Sequence, residues 1–138
     1  MSEMTLSMGV VLADIVVVRK LLIEIDNGNN NRYLKNNAAY HIQQAVEKMI
    51  KIQIYESGIQ YQNHAVYTHN LVQLSQYAKS IGVVLNIPQY IADNLILITS
   101  WEVRGRYDMH LTVRIDRLRH CYEVIEMWYN ELKEKGLK

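Results

Sequence analysis

One proline and six glycines in 138 residues leave this chain few places to turn. A fold of many short strands needs regular turn signals, and this sequence does not supply them. Long helices with few connections fit better. The clearest is the stretch from Asn36 to Tyr55. Ala38, Ile42, Ala45, Met49 and Ile52 recur at steps of three or four, the period that lines one helical face. Val46 and Ile50 widen that face, and Gln44, Glu47, Lys48 and Lys51 are expected on the wetter side. Small residues at 38, 39 and 45 let a neighbouring helix approach closely.

The remaining chain divides by the same signals. Residues 5–25 are rich in β-branched residues, but the run is longer than an ordinary strand. Leu12, Ile15, Val18 or Arg19, Leu22 and Ile25 keep a helical step, so a first helix is expected there. Asp26 to Asn31, with Gly28 among four asparagines, marks a loop. A second helix is expected from Arg32 to Ser57, stopped by Gly58. Thr68 reads as the N-cap of a third helix that ends near Gly82. Asn86-Ile87-Pro88 opens a fourth, running to Glu102 or Arg104. Gly105 to Met109 reads as irregular. A last helix is expected from His110 to Lys135, its buried stripe marked by Leu111, Ile115, Leu118, Tyr122, Ile125 and Tyr129. The expected fold is all-α, an antiparallel up-and-down bundle of four to five helices forming one domain over residues 1–138.

Composition narrows the class. An apolar share of 49% with 21% charged residues is that of a soluble globular chain. A net charge of +1 gives no global pull toward nucleic acid or an acidic membrane. The single cysteine, Cys121, excludes an internal disulfide and a cysteine-based zinc site, and points to a reducing cytoplasm. Met1-Ser2-Glu3 lacks the basic flank of a secretory signal, and charges at Asp14, Arg19 and Lys20 interrupt the N-terminal apolar run. No membrane span is expected.

Four pieces of the sequence, Ala39 to Lys48, Gly58-Ile59 with Thr68 to Leu71, Asn86 to Pro88, and Glu102 to Tyr107, together resemble the HEPN family (higher eukaryotes and prokaryotes nucleotide-binding). Ala39-Tyr-His-Ile-Gln-Gln-Ala-Val-Glu-Lys48 is similar to the family's Ala-Tyr-Phe-His-x-Gln-Gln-Ala-x-Glu-Lys pattern. Gly58-Ile59 followed by Thr68-His69-Asn70-Leu71 looks like its Gly-Ile and Thr-His-Asp-Leu segments. Asn86-Ile87-Pro88 resembles its proline-led helix start. Glu102-Val-Arg-Gly-Arg-Tyr107 resembles a Glu-x-x-x-Arg-Tyr-Pro segment, with Asp108 in place of the proline. The resemblance covers about residues 8–135 and is closer to the Arg-Tyr-Pro subgroup than to the ribonuclease toxins. It implies a helical bundle, a homodimer, and a minimal nucleotidyltransferase encoded beside it or fused to it.

Arg104 and His110 are the candidate catalytic pair. Ribonuclease members of the family carry an Arg followed four to six residues later by His, and five residues separate these two. A histidine can move a proton at a ribose oxygen, and a guanidinium can hold a phosphate and steady its developing charge. Gly105 departs from the Asn, Asp or His that commonly follows that Arg. The plainer expectation is that Arg104 and Arg106 pair with Glu102 and Asp108 while His110 caps the last helix.

Five of the seven arginines fall between residues 104 and 119. Arg106, Arg114 and Arg117 are candidate nucleotide or RNA contacts, weighed against a solvated face with pairs such as Asp116 with Arg119. Lys48 and His41 are further candidate phosphate contacts. Against that, Gln43, Gln44 and Glu47 are expected to hydrogen-bond across the bundle and fix its register. His69 is expected to make local hydrogen bonds. The five histidines show no metal-ligand spacing, so neither a metal nor a cofactor is expected. Ten tyrosines with no phenylalanine are expected to close the core and a subunit interface rather than to stack on bases. Trp101, Trp128, Met109 and Met127 read as packing residues.

Two functions remain open from sequence. One is a dimeric nucleotide- or RNA-binding module acting beside a nucleotidyltransferase, in a toxin–antitoxin or defence-type pair. The other is a metal-independent endoribonuclease built on Arg104 and His110.

Overall fold

The computed structural model describes residues 6–29, 31–107 and 113–138, with side chains for all of these except 104–107. Among the described residues the chain is helical, with no strand. The helices are α1 (Met8–Asp26), α2 (Arg32–Glu56), α3 (Asn63–Val66), α4 (Leu71–Ser80), α5 (Gln89–Asp93), α6 (Leu95–Tyr107) and α7 (Ile115–Glu134). The long helix α2 is the axis. α1 and α6 pack along it, α7 leans on both α1 and α2, and α4 fills the gap against α6.

The helix ends follow local chemistry. Asn31 caps α2 by accepting from the Tyr33 amide at 2.7 Å. α2 ends ahead of Gly58, whose φ of +76° favours a residue without a Cβ. α4 is capped by Asn70, which accepts from the amides of Val72 and Gln73, and not by Thr68. The Thr68 hydroxyl instead accepts from the Asn70 amide at 3.1 Å and so shapes the turn before the helix.

The expected fourth helix is two pieces. Asn94 ends α5, its side chain donating to the Tyr90 carbonyl at 2.7 Å, and its own carbonyl begins α6 by accepting from Ile98. α6 then runs through Gly105 to Tyr107, where the sequence pattern predicts an irregular stretch. α7 starts at Ile115 rather than His110, because Val113 and Arg114 lie outside the helix and Val113 is buried. The connector 59–67 contains the short helix α3, for which the sequence carries no signal.

The core confirms the α2 stripe. Ala38, Ile42, Ala45, Val46, Met49, Ile50 and Ile52 are all buried. Glu47 is the exception to the expected wet face, being only 5% exposed. In α1 the expected stripe is buried at Ile15, Val18, Leu22 and Ile25; only at its first position does Val11 take the place of the exposed Leu12. In α7 the buried stripe is Leu118, Cys121, Ile125, Trp128 and Leu132, with Tyr122 and Tyr129 on its margin. Trp101 and Trp128 pack in the core as expected, whereas Met127 is 73% exposed.

Candidate functional site

Two clusters of polar side chains stand out, one buried and one open. The buried one runs along α2. Asp14 projects from α1 into the packed face and is 6% exposed. Its two oxygens meet His41 Nδ1 at 2.8 Å and Lys48 Nζ at 2.7 Å. Glu47, next to Lys48 in the chain, is equally engaged. Lys51 donates to its Oε2 at 2.9 Å, Gln43 Nε2 to its Oε1 at 3.0 Å, and His69 Nδ1 lies 2.9 Å from Oε1. Gln43 also donates to the His69 carbonyl, and Gln44 donates to Gln43. On its far side, His69 Nε2 lies 3.9 Å from Glu102 of α6.

This network joins three of the four segments that carry the family resemblance. The Gln-Gln-Ala-Val-Glu-Lys helix, the Thr-His-Asn-Leu turn and the Glu102 segment meet around Glu47 and His69. The expectation that Gln43 and Glu47 hydrogen-bond across the bundle holds, both reaching His69, whereas Gln44 reaches only its neighbour Gln43. A buried carboxylate requires this many donors, since leaving it unpaired in a core is costly. His41 and Lys48 are brought together as the sequence grouping suggests, and both close on Asp14. Sequence reasoning missed Asp14 itself, although an acid among the apolar residues of α1 was a visible signal.

The open cluster lies where α5 meets the start of α7. Arg114, Arg117 and His120 recur every three residues, so they share one side of the helix. With Tyr90 and Asp116 they line a shallow groove of about 240 Å³. Tyr90 and His120 meet edge to face, with ring centres 4.2 Å apart. Arg114 pairs with Asp116 through Nε at 3.2 Å and Nη2 at 3.0 Å. Desolvation works against the Asp116 carboxylate, but the Arg114 guanidinium outweighs it and holds that carboxyl below the usual range. Arg117 Nη1 donates to Asn94 Oδ1 at 3.1 Å. Asp116 therefore pairs with Arg114 and not with Arg119, which instead closes on Asp26 across the α1–α7 packing.

The Tyr90 wall of the groove is uncharged. Burial, aided by the neighbouring Cys121, pushes the Tyr90 phenol up, and Arg117 only partly opposes this. Burial likewise pushes the Cys121 thiol up to about 11, so it is a poor nucleophile. Arg114 and Arg117 are thus brought to one groove as the arginine clustering suggests. Tyr90 and His120 were missed as its other walls, though the three-residue spacing from Arg114 pointed to His120. Arg104 and Arg106 belong to the last turns of α6; their side chains, and His110, lie outside the described residues. Among the described residues, no group of three or more His, Cys, Asp or Glu side chains is placed to hold a metal ion. No described helix is long and apolar enough to cross a membrane.

The HEPN domain family model matches residues 21–135. The chain belongs to the HEPN domain family. The matched span contains the whole of α2, the Glu47–His69 network and both walls of the groove, so it carries the open cluster and all of the buried one except Asp14. Only part of α1, including Asp14, precedes it. Membership of the HEPN family points to a nucleotide- or RNA-related function. No curated protein and no solved structure matches the chain.

Proposed function

We propose that this HEPN domain is a nucleotide- or RNA-binding module, homodimeric and cytoplasmic. It would act beside a minimal nucleotidyltransferase in a toxin–antitoxin or defence-type pair. The observation that carries the binding reading is the groove at the α5–α7 junction. Two guanidinium groups, an imidazole and a tyrosine ring face one surface, with a single carboxylate among them. Guanidinium groups bind phosphate oxygens in pairs, and an aromatic ring offers a base something to lie against. Arg106, from the same arginine-rich stretch of sequence, is a further contact in this reading. His41 and Lys48, held by Asp14, are assigned to the architecture.

A dimer has its own support. α6 carries apolar residues on every side, and such helices are normally covered. Yet Ile96 is 80% exposed and Val103 43% exposed. A second copy packed on this side would cover them. The nucleotidyltransferase partner rests on the family resemblance alone.

The test is direct. Wild type and an Arg114→Gln/Arg117→Gln double variant are titrated with fluorescent single-stranded RNA over a range of salt. Wild-type binding that weakens with salt and is lost in the double variant supports the reading. Equal binding by both proteins removes the groove from it.

The second reading, a metal-independent endoribonuclease, is favoured by one observation: the spacing of Arg104 and His110 in a chain of this family. Structured RNA incubated with the protein in EDTA decides it. Cleavage that disappears in His110→Ala establishes the enzyme, and no cleavage by wild type leaves the binding module.

A further inference from the structure

The structure assigns the α5–α7 groove a preference for a terminal phosphate monoester over the diester backbone of a continuous strand. This rests on the reading of the groove as the nucleotide- or RNA-binding site. It starts from the way the arginines are paired. Arg19 closes on Glu126, Arg114 on Asp116 and Arg119 on Asp26. Arg117 differs. It is half-buried, and its side-chain hydrogen bond goes to the neutral amide of Asn94. Asp116 accepts from the Arg117 backbone amide, but among the described residues no carboxylate pairs with the guanidinium itself, and a partly desolvated cation of this kind suits an incoming anion.

The neighbours define what that anion is. Arg114 and His120 flank Arg117 at three-residue spacing on the same side of α7, and both line the groove. The two arginines carry two positive charges and Asp116 offsets one, so net charge does not choose the anion; the donors do, because Arg114 spends only Nε and Nη2 on Asp116 and keeps Nη1 for a further oxygen beside Arg117. A monoester carries about −1.5 to −2 charge at neutral pH and offers three strong acceptor oxygens. A diester linkage carries one charge and two free oxygens, which Arg117 alone would satisfy. The groove, at about 240 Å³, is below the usual range for ligand pockets. Tyr90 is the one tyrosine in its lining, so a single base has a ring to rest against beside the two arginines. A tracking site for a strand needs a charged path and several such platforms. The shared ligand chemistry is therefore a phosphate at an end, carried either by a free mononucleotide or by the terminus of an RNA.

Competition binding on the full chain separates these. The probes are a short fluorescent RNA with a 5′-phosphate, the same RNA with a 5′-hydroxyl, adenosine 5′-monophosphate and adenosine. The 5′-phosphorylated RNA should bind about tenfold tighter than its hydroxyl counterpart, the scale of one charge-assisted contact. Adenosine should not compete. Competition by adenosine monophosphate at an affinity like that of the strand identifies the mononucleotide as sufficient. Its failure to compete while the preference persists identifies the strand terminus. Arg117→Gln keeps an amide beside Asn94 and should abolish the preference; Arg114→Gln should reduce it, with melting curves confirming both folded. Equal binding of the two RNAs overturns the monoester assignment and leaves RNA binding intact. Binding of none of the probes overturns both readings.

Discussion

Asp14 and Glu47 lie within the packing around α2, each ringed by donors, whereas Arg117 lines a surface groove with an amide for company. The first two are surrounded because the interior gives them no alternative. Lys48, Lys51, His41, His69 and Gln43 stand in for the water these carboxylates lost. Such groups fix which helix faces which, and they have little left to offer a ligand. Arg117 keeps contact with solvent, so it tolerates incomplete pairing. The difference teaches that charge density in a sequence does not locate a binding site. The state of pairing does.

The largest expected effect comes from breaking the buried side of this contrast. Asp14→Ala leaves His41 and Lys48 without their shared acid, and should cost about 3 kcal/mol in urea unfolding. A loss below about 0.5 kcal/mol, the scale of an ordinary surface substitution, would mean that Asp14 is not a structural counter-ion. On the open side, the Arg114→Gln/Arg117→Gln variant should shift stability by no more than about 0.5 kcal/mol, while RNA affinity falls at least about tenfold, as expected for losing charge-assisted contacts. If stability fell as far as in Asp14→Ala, the two regions would not differ in kind.

A smaller structural effect is expected at the α6 surface. Ile96→Glu should leave the melting temperature nearly unchanged and convert a dimer to monomer in sedimentation velocity. A dimer that survives the change has its interface elsewhere.

The smallest effect sharpens the comparison through pH. Glu126, at the α1–α7 packing, is held below its ordinary value of 4.5, first by the Tyr122 hydroxyl and then by Arg19. A depressed carboxyl stabilises the fold above its unfolded value, and that contribution drains away as pH falls through the folded value. Glu126→Gln should therefore cost a little stability at neutral pH, little because the pair is solvent-screened, and that difference should close as pH falls below about 4.5, which flattens the acid side of the variant's stability curve. Acid unfolding curves of the two proteins would superimpose if the pair contributed nothing.

Much of the bundle was legible in the sequence because long periodic helices repeat their signal. The α2 stripe from Ala38 to Ile52 was readable for that reason. α1 was readable as a helix and in phase from Ile15 to Ile25, but not at its first turn. Its many β-branched residues make it apolar on several sides, so Leu12 and Val11 competed for one position. The break at Asn94 left no trace in the pattern, since it depends on a side chain reaching back to the Tyr90 carbonyl. Gly105 misled, because a glycine inside a helix costs only about 1 kcal/mol and packing can absorb that. For the site, the cluster of arginines was readable, and the three-residue spacing of Arg114 and Arg117 placed them together. Which of the described arginines lacked an acidic partner was not, because Asp26 reaches Arg119 across the fold from a distant part of the chain.

Cys121 has a practical consequence. Its thiol is buried against Tyr90 and stays protonated far above neutral pH, so a maleimide or iodoacetamide added to the native protein finds almost no thiolate to attack. Labelling then reports each opening of the α5–α7 contact, and its rate measures how often that end of the molecule comes apart. The chain thus contains a built-in clock for local unfolding, placed beside the groove where a bound phosphate would slow it.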